Sequence, residues 1–347
     1  MTLLDFGAYP LWANLAIFGV AAAVVWWAGS RLTRYADAIS EMTGLGSALA
    51  GMLLLGGITS LPEVAVSTTA SLTGNARLAV SNLLGGVAAQ VVIIAIGDAM
   101  LRGRAMSAQV AGPTVLLQAV FSCLLLAVLI AGALVGDIDV AGVGAWSAAA
   151  FLLGVTFFWM ISRYKGRETW RPNPPPEPEG GEVDGKPDNL RRAIGLTAAM
   201  GATIFVAGYL LSQTADAIAR QSGISDNFVG VTLLALATSL PEISTVVTAV
   251  LIRRYMMAFS DIFGTNIFDL MLIFVIDVAY RGPPVLNELG VFAAFAALLG
   301  IVVTLLYVAG LIERRDKTTL RLGPDSWAVL AVYAAALPAL YVLGQGD

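Results

Sequence analysis

Two five-residue blocks, Thr59-Ser60-Leu61-Pro62-Glu63 and Thr238-Ser239-Leu240-Pro241-Glu242, are identical and lie 179 residues apart. Each joins a carboxylate to two hydroxyls and a proline. On a helix, Glu63 shares a face with Thr59 at i−4 and Ser60 at i−3. Pro62 has no N–H, so the Ile58 carbonyl loses its helical partner. Pro241 does the same to Ala237 beside Glu242, Thr238 and Ser239. A further carboxylate, Asp269, has Gln90 as its counterpart 179 residues earlier. Carboxylates, hydroxyls and freed carbonyls are hard oxygen ligands, the kind that suits Ca²⁺ or Na⁺. The chain has no His and a single Cys, Cys123, so imidazole and thiolate sites and a disulfide framework are excluded.

The elements that carry these residues are apolar. Of 347 residues, 58% are hydrophobic and 13% charged, with a mean hydropathy of +0.80. Soluble domains carry about 25% charged residues. Leu11–Gly29, Ala108–Leu134, Val140–Ile161, Ile194–Leu211 and Leu289–Ile312 each match the roughly 17–25 residues of a bilayer-spanning helix. None alternates with period two, which argues against a lipid-facing barrel. Cutting at charged and turn-rich segments predicts ten spans, at 10–30, 44–73, 76–100, 108–134, 139–162, 192–214, 224–252, 255–280, 287–312 and 325–344. Met1–Pro10 has no basic residue and no small-residue cleavage site follows Trp27, so the first span is expected to be retained. A net charge of −4 gives no basis for a nucleic-acid partner.

Basic residues favour cytoplasmic loops. With ten spans and the N-terminus outside, 17 of the 20 Lys and Arg fall on the inner side and only Arg77, Arg220 and Arg281 on the outer. Nine or eleven spans would scramble that sorting. Arg163–Arg192 holds Pro172, Pro174, Pro175, Pro176, Pro178, Gly180 and Gly181 among its charges, and reads as a flexible cytoplasmic tether.

The repeat is longer than the two blocks. Ala36-Asp37-Ala38-Ile39 returns as Ala215-Asp216-Ala217-Ile218, and Ser81, Gly85 and Asp98 return as Ser260, Gly264 and Asp277. Over Ala36–Asp98 the shifted chain matches at 21 of 63 positions without a gap. A repeat of five helices is odd in number, so its second copy enters the membrane from the opposite side. Inverted copies place a substrate site at mid-membrane between them. The expected organisation is therefore an all-α membrane protein: residues 1–162 as the first five-helix repeat, 163–191 as the linker and 192–347 as the second repeat, with the key motifs at 56–90 and 235–269.

A carboxylate at the bilayer centre costs at least about 2.5–3.5 kcal/mol on insertion scales. Glu63, Glu242 and Asp269 lie well inside their spans, and no Lys or Arg lies at matching depth. A bound cation is the simplest missing partner. The plainer alternative is a protonated Glu bonded within the bundle, and two identical blocks in inverted copies weigh against it. Gly85 and Gly264 are expected to let the third and eighth helices approach and bring Gln90 and Asp269 to the centre. Asp98 and Asp277 are read as interfacial i,i+4 partners of Arg102 and Arg281, and Asp37 and Asp216 as loop residues. Trp26, Trp27, Trp146, Trp170 and Trp327, near span ends, read as interfacial anchors.

These blocks, with Ser-Asp-Ile-Phe-Gly-Thr-Asn-Ile-Phe-Asp at 260–269, resemble the α-repeats of the sodium/calcium exchanger family of cation/Ca²⁺ antiporters. The resemblance spans essentially the whole chain. It implies that Thr59, Glu63, Thr238 and Glu242 hold Ca²⁺, and that Ser60, Ser239, Thr265, Gln90 and Asp269 help form flanking Na⁺ sites. The first repeat departs from the family pattern of Gly-Ser-Asn-Ile and then Asn. Here the stretch is Gly85-Gly86-Val87-Ala88-Ala89-Gln90, so one Na⁺ site implied by the resemblance lacks a side-chain ligand.

The expected function is secondary antiport of Ca²⁺ against Na⁺ by alternating access around Glu63 and Glu242, with the first and sixth spans sliding against the other eight. H⁺ in place of Na⁺ stays open, because protonating a membrane-buried Glu gives the same charge compensation. A cation channel would need a continuous polar lining, whereas the polar residues here cluster at mid-depth. An intramembrane aspartyl protease would need a GxGD motif, and Asp98 follows Ala95-Ile96-Gly97 without the first glycine. The partners expected are inorganic cations and the bilayer of the plasma (inner) membrane, with both termini outside. No enzymatic activity and no cofactor beyond the transported ions are expected. The oligomeric state is left open, with a monomer compatible.

Overall fold

The computed structural model describes residues 6–72, 76–101, 103–110, 112–164, 180, 185–222 and 238–346. Nine helices among them are long and apolar enough to cross a membrane. The chain is an integral membrane protein, nearly all helical, built from two five-helix repeats inserted in opposite senses. The first half of the seventh span, the Ala237 carbonyl, Arg102, Trp170 and most of the linker lie outside the described residues.

In chain order, α1 is Leu11–Thr43, ended by Gly44 at φ 62°, a left-handed cap that favours glycine. The second span is broken. It runs as α2 (Ser47–Ala50), a π-helical stretch Gly51–Gly56, α3 (Gly57–Thr59) and α4 (Leu61–Leu72). Three glycines weaken the helix here and Pro62 removes one of its donors, so the break follows from local sequence. The third span is α5 (Ala76–Met100). A short α6 (Met106–Gln109) precedes α7 (Pro113–Val135), and a small hairpin, β1 (Asp139–Val140) with β2 (Val143–Gly144), leads into α8 (Ala145–Ser162).

The second repeat holds α9 (Leu190–Ser222), α10 (Leu240–Leu251), α11 (Tyr255–Ala279), α12 (Val291–Glu313) and α13 (Pro324–Gly346).

The first and sixth helices are longer than the expected 10–30 and 192–214. Arg31 and Arg34 mark where α1 leaves the apolar zone, not where it ends. Asp37 and Asp216, expected in loops, are both helical. Asp37 is buried, paired with Arg254 and with Lys186 at 2.9 Å. Asp216 makes an exposed i,i+4 pair with Arg220 at 3.0 Å.

Asp277 does not pair with Arg281. It accepts Gly144 N at 2.7 Å, Ser147 Oγ at 2.5 Å and Val285 N at 2.9 Å. Asp98 accepts Met106 N at 2.7 Å, Gly323 N at 2.6 Å and Ser326 Oγ at 2.6 Å. Both acids are buried staples between a helix end and the loops beyond it. Met106, Gly144 and Ser147 become Val285, Gly323 and Ser326 on adding 179, so donors and acceptors obey the repeat together.

Close packing at the centre involves Gly264 as expected, but not Gly85, and it is against the second span instead of the third. A Cβ on Gly85 would meet nothing within 4 Å. A Cβ on Gly264 would lie 2.7 Å from Met52 Cα, one on Gly56 2.7 Å from Thr265 N, and one on Gly51 2.5 Å from Met257 O. The tight crossing is therefore between the broken second span and α11. The outer helices obey the repeat as well. Gly29 of α1 abuts Ser244 and the Pro241 carbonyl, and its equivalent Gly208 of α9 abuts Pro62. Each long helix thus leans a glycine against the proline turn of the opposite repeat. Of the tryptophans expected at the interface, Trp26, Trp27 and Trp327 are exposed, and Arg31 sits over the Trp27 ring at 5.9 Å.

Candidate cation site

The two Thr-Ser-Leu-Pro-Glu blocks occupy matching places. Glu63 lies in the first turn of α4 and Glu242 in the first turn of α10. The proline restarts the helix just before each carboxylate, so each acid sits at a helix N-terminus, where partial positive charge favours anions. Both are buried. Among the described residues, Glu63 Oε2 and both carboxylate oxygens of Glu242 have no hydrogen-bond partner.

Thr59 Oγ1 lies 3.2 Å from Thr265 Oγ1, which joins the first repeat's block to α11. Both hydroxyls lie near the Gly56 carbonyl, to which Ser60 Oγ donates at 2.9 Å. Gln90 Nε2 donates to Asp269 Oδ2 at 2.9 Å, and among the described residues Asp269 Oδ1 and Gln90 Oε1 have no hydrogen-bond partner. Thr238 and Ser239 are half-buried at the turn before α10, where the Ser239 side chain makes no capping bond. The fold thus draws Thr59, Ser60, Thr265, Gln90 and Asp269 into one contact network around the two Glu. It leaves Thr238 and Ser239 at the edge of what is described.

The electrostatics are one-sided. Glu63 and Asp269 lie close enough to feel each other's charge, and Glu242 feels Glu63, Asp261 and Asp269. Among the described residues, no ion pair reaches any of these four acids. Orphaned carboxylate oxygens in a desolvated site are costly unless something positive joins them. Among the described residues, no three acidic side chains converge as a ready-made metal cluster. The donor set is therefore mixed, with carboxylates supplemented by hydroxyl, amide and carbonyl oxygens. Such a set fits a hard cation that enters and leaves better than a permanently held metal.

Asp261 is missing from the residues singled out above. It is fully buried on α11, accepts a hydrogen bond from Thr245 Oγ1, and has its other oxygen unpartnered. The signal was available: Asp261, Thr265 and Asp269 recur at i, i+4 and i+8, one face of a helix.

The family model described as "Sodium/calcium exchanger protein" matches residues 13–164 and 192–343, two segments offset by the same 179 residues. The chain belongs to this family. Two relatives match over a similar extent. The chain is 24% identical over 258 residues, 73% of its length and 76% of the relative's, to a protein named as an antiporter, CaxA of Alkalimonas amylolytica. It is 27% identical over 267 residues, 74% of its length and 77% of the relative's, to the inner membrane protein YrbG of Escherichia coli K12. The fold is that of the sodium-calcium exchanger NCX_Mj soaked with Na⁺ and Sr²⁺, at a TM-score of 0.68 and 16% identity, covering 95% of this chain and 99% of that one. This exchanger-family chain is accordingly a cation antiporter in its coarse class.

Proposed function

We propose that this exchanger exchanges Ca²⁺ for Na⁺ across the membrane by alternating access around Glu63 and Glu242. The observation that supports this most directly is the pair of buried carboxylates contributed by the two repeats, in which Glu63 Oε2 and both Glu242 oxygens lack a hydrogen-bond partner among the described residues. A divalent ion held between them would balance both charges. Thr59 and Thr238 would add oxygens to its shell, with Ser60 and Ser239 in the flanking Na⁺ sites. Na⁺ would compete for the same carboxylates and for Asp269, Gln90 and Thr265, so one set of ions is bound at a time.

The same reading assigns residues 1–162 and 192–347 to the two repeats, with 163–191 as a cytoplasmic linker. It places the chain in the plasma (inner) membrane with both termini outside, on the strength of the 17-to-3 sorting of basic residues. The helices that move would be α1 and α9. They pack on each other and touch the proline turns through Gly29 and Gly208, while Gly201 abuts Ile58 one turn earlier in the second span. Glycine contacts leave smooth surfaces, which suit sliding better than interdigitated ones.

H⁺ in place of Na⁺ is favoured by one feature. Gly86 offers no hydroxyl where its counterpart Thr265 does, which leaves the first repeat poorer in Na⁺ ligands. The test is ⁴⁵Ca²⁺ uptake into proteoliposomes under imposed Na⁺ gradients, repeated under pH gradients. Uptake that follows the Na⁺ gradient supports Ca²⁺/Na⁺ exchange, and uptake that follows only the pH gradient replaces it with H⁺ coupling. Flux that needs no counter-gradient and does not saturate would indicate a channel.

A further inference from the structure

We infer that Asp261, Thr245 and Glu242 form an additional site for a monovalent hard cation, on the opposite side of the central carboxylates from Asp269. The inference rests on the reading of Glu63 and Glu242 as a cation centre, and adds to it a site in the second repeat alone.

Asp261, Thr265 and Asp269 lie on one stripe of α11, successive members about 6 Å apart along the axis at 1.5 Å per residue. The middle member meets Thr59 of the opposite repeat. The two outer members are built alike. Asp269 accepts a hydrogen bond from the neutral amide of Gln90, has the neutral hydroxyl of Ser60 beside it, and keeps Oδ1 without a geometric hydrogen-bond partner among the described residues. Asp261 accepts a hydrogen bond from the neutral hydroxyl of Thr245 and keeps Oδ1 unpartnered among the described residues. Both are buried, and neither has a basic partner among the described residues.

Glu242 provides the second, independent observation. Both of its oxygens are buried without a hydrogen-bond partner among the described residues, and it lies within electrostatic reach of Asp261. Thr245 stands one turn beyond Glu242 on α10 and donates across to Asp261, so α10 and α11 present their oxygens to a common region. One carboxylate belonging to the site, a neutral hydroxyl and a share in Glu242 suit a single positive charge. Hard oxygens suit Na⁺ over softer cations.

The repeat supplies a built-in comparison. The residues equivalent to Asp261 and Thr245 are Asn82 and Val66. Charge and hydroxyl are both missing from the first repeat. A merely structural Asp–Thr hydrogen bond would need no charge, and an Asn–Thr pair would serve it. Burying an ionisable group at this depth carries a cost, and a bound cation offsets it.

Purified protein is assayed for binding of ²²Na⁺ and ⁴⁵Ca²⁺, comparing wild type with Asp261→Asn and Thr245→Val. Both variants install what the first repeat already carries. Asp261→Asn is expected to bind one fewer Na⁺ per chain, while its ⁴⁵Ca²⁺ affinity in Na⁺-free buffer changes by less than about threefold, under 0.7 kcal/mol. Thr245→Val is expected to keep the Na⁺ count and weaken Na⁺ binding several-fold. An unchanged Na⁺ count in folded Asp261→Asn overturns the additional site. So does an equal collapse of Ca²⁺ binding, which would put Asp261 in the central site. If Asp261→Asn is not monodisperse, an unchanged Na⁺ affinity in Thr245→Val overturns it instead. Wild type that binds neither ion overturns the cation centre itself, whatever the variants do.

Discussion

Gln90 and Asp269 are 179 residues apart, equivalent in the two repeats, and hydrogen-bonded to each other at 2.9 Å. Equivalent residues can touch only where the two copies meet, so this bond marks the repeat junction. It also marks an asymmetry, since one copy brings a charge and the other an amide that donates to it.

Asp269→Asn is expected to preserve that contact, because the Asn carbonyl can still accept from Gln90. What is lost is the charge. Na⁺ activation should therefore weaken by roughly tenfold, about 1.4 kcal/mol, with Ca²⁺ affinity much less affected. Measuring the two separately on the same preparation checks this. An equal loss of both would make Asp269 part of the Ca²⁺ shell.

Glu63→Gln and Glu242→Gln should each abolish exchange while leaving the protein inserted and monodisperse. The neutral amide is close in size, and neither acid has a salt-bridge partner to orphan among the described residues. Uptake of ⁴⁵Ca²⁺ by reconstituted protein reads the result. Normal transport by either variant would remove that residue from the site.

Asp98 and Asp277 predict a different outcome. Each buried carboxylate accepts two backbone N–H groups and one hydroxyl. An Asn must turn its NH₂ toward at least one of those donors. Hydrogen bonds to charged groups contribute about 1.5–3 kcal/mol, so Asp98→Asn or Asp277→Asn should destabilise by about 2 kcal/mol or more. Thermal unfolding in detergent should show the loss, and ion affinities of the folded fraction should not move.

Much of this architecture was legible because period and composition are whole-chain signals. The 179-residue shift, the odd helix count and the two Glu blocks needed no three-dimensional information. Details failed where a residue's type suggests one environment and its neighbours create another. Asp37 looked like a loop residue until Arg254 and Lys186, remote in sequence, were seen to neutralise it inside a helix. Asp98 and Asp277 looked like local i,i+4 partners, yet their donors lie in distant loops. Gly85 looked like a packing glycine because Gly264 is one, but only the second copy faces the broken span. Asp261 was passed over because Asn82, its counterpart, carries no charge to flag it.

The ion-pair cluster at the end of α1 gives a graded prediction. Arg254 and Lys186 share Asp37 and Glu41, with Lys186 at 2.9 and 2.8 Å from them. Arg254 is almost buried, and removing it leaves the buried Asp37 charge under-compensated, so Arg254→Gln should cost about 3 kcal/mol. Lys186 is more exposed, and Lys186→Gln should cost under about 1 kcal/mol. Partial burial pulls the Lys186 ammonium down, but its hydrogen bonds to Glu41 and Asp37 outweigh that and hold it above the ordinary lysine value. A raised lysine pKa gives stabilisation that is fully present below the unfolded value, about 10.4, and is lost only as pH rises through the folded one. The Lys186→Gln difference in melting temperature should therefore be constant from pH 6 to about 9. A difference that disappears within that range would contradict the pairing.

Gly86 is the departure that bears on coupling. Its repeat counterpart is Thr265, whose hydroxyl touches Thr59. A packing glycine would be surrounded by atoms, but a Cβ at Gly86 meets nothing within 4 Å. Ser therefore fits without displacing a neighbour, and the substitution tests ion chemistry, not folding. Na⁺ is held by several weak oxygen contacts, so one missing ligand weakens a site without closing it unless water substitutes. The expectation is a weaker Na⁺ dependence, or fewer Na⁺ per cycle, than the family pattern implies. Gly86→Ser should then raise apparent Na⁺ affinity, by roughly fivefold for a hydrogen-bond-sized gain of about 1 kcal/mol, or raise the Na⁺ Hill coefficient. A Na⁺ titration of ⁴⁵Ca²⁺ uptake by the folded variant reads both quantities. An unchanged Na⁺ response with intact Ca²⁺ transport would take Gly86 out of the mechanism and leave Gln90, which donates where a carboxylate would coordinate, as the residue that sets the driving ion.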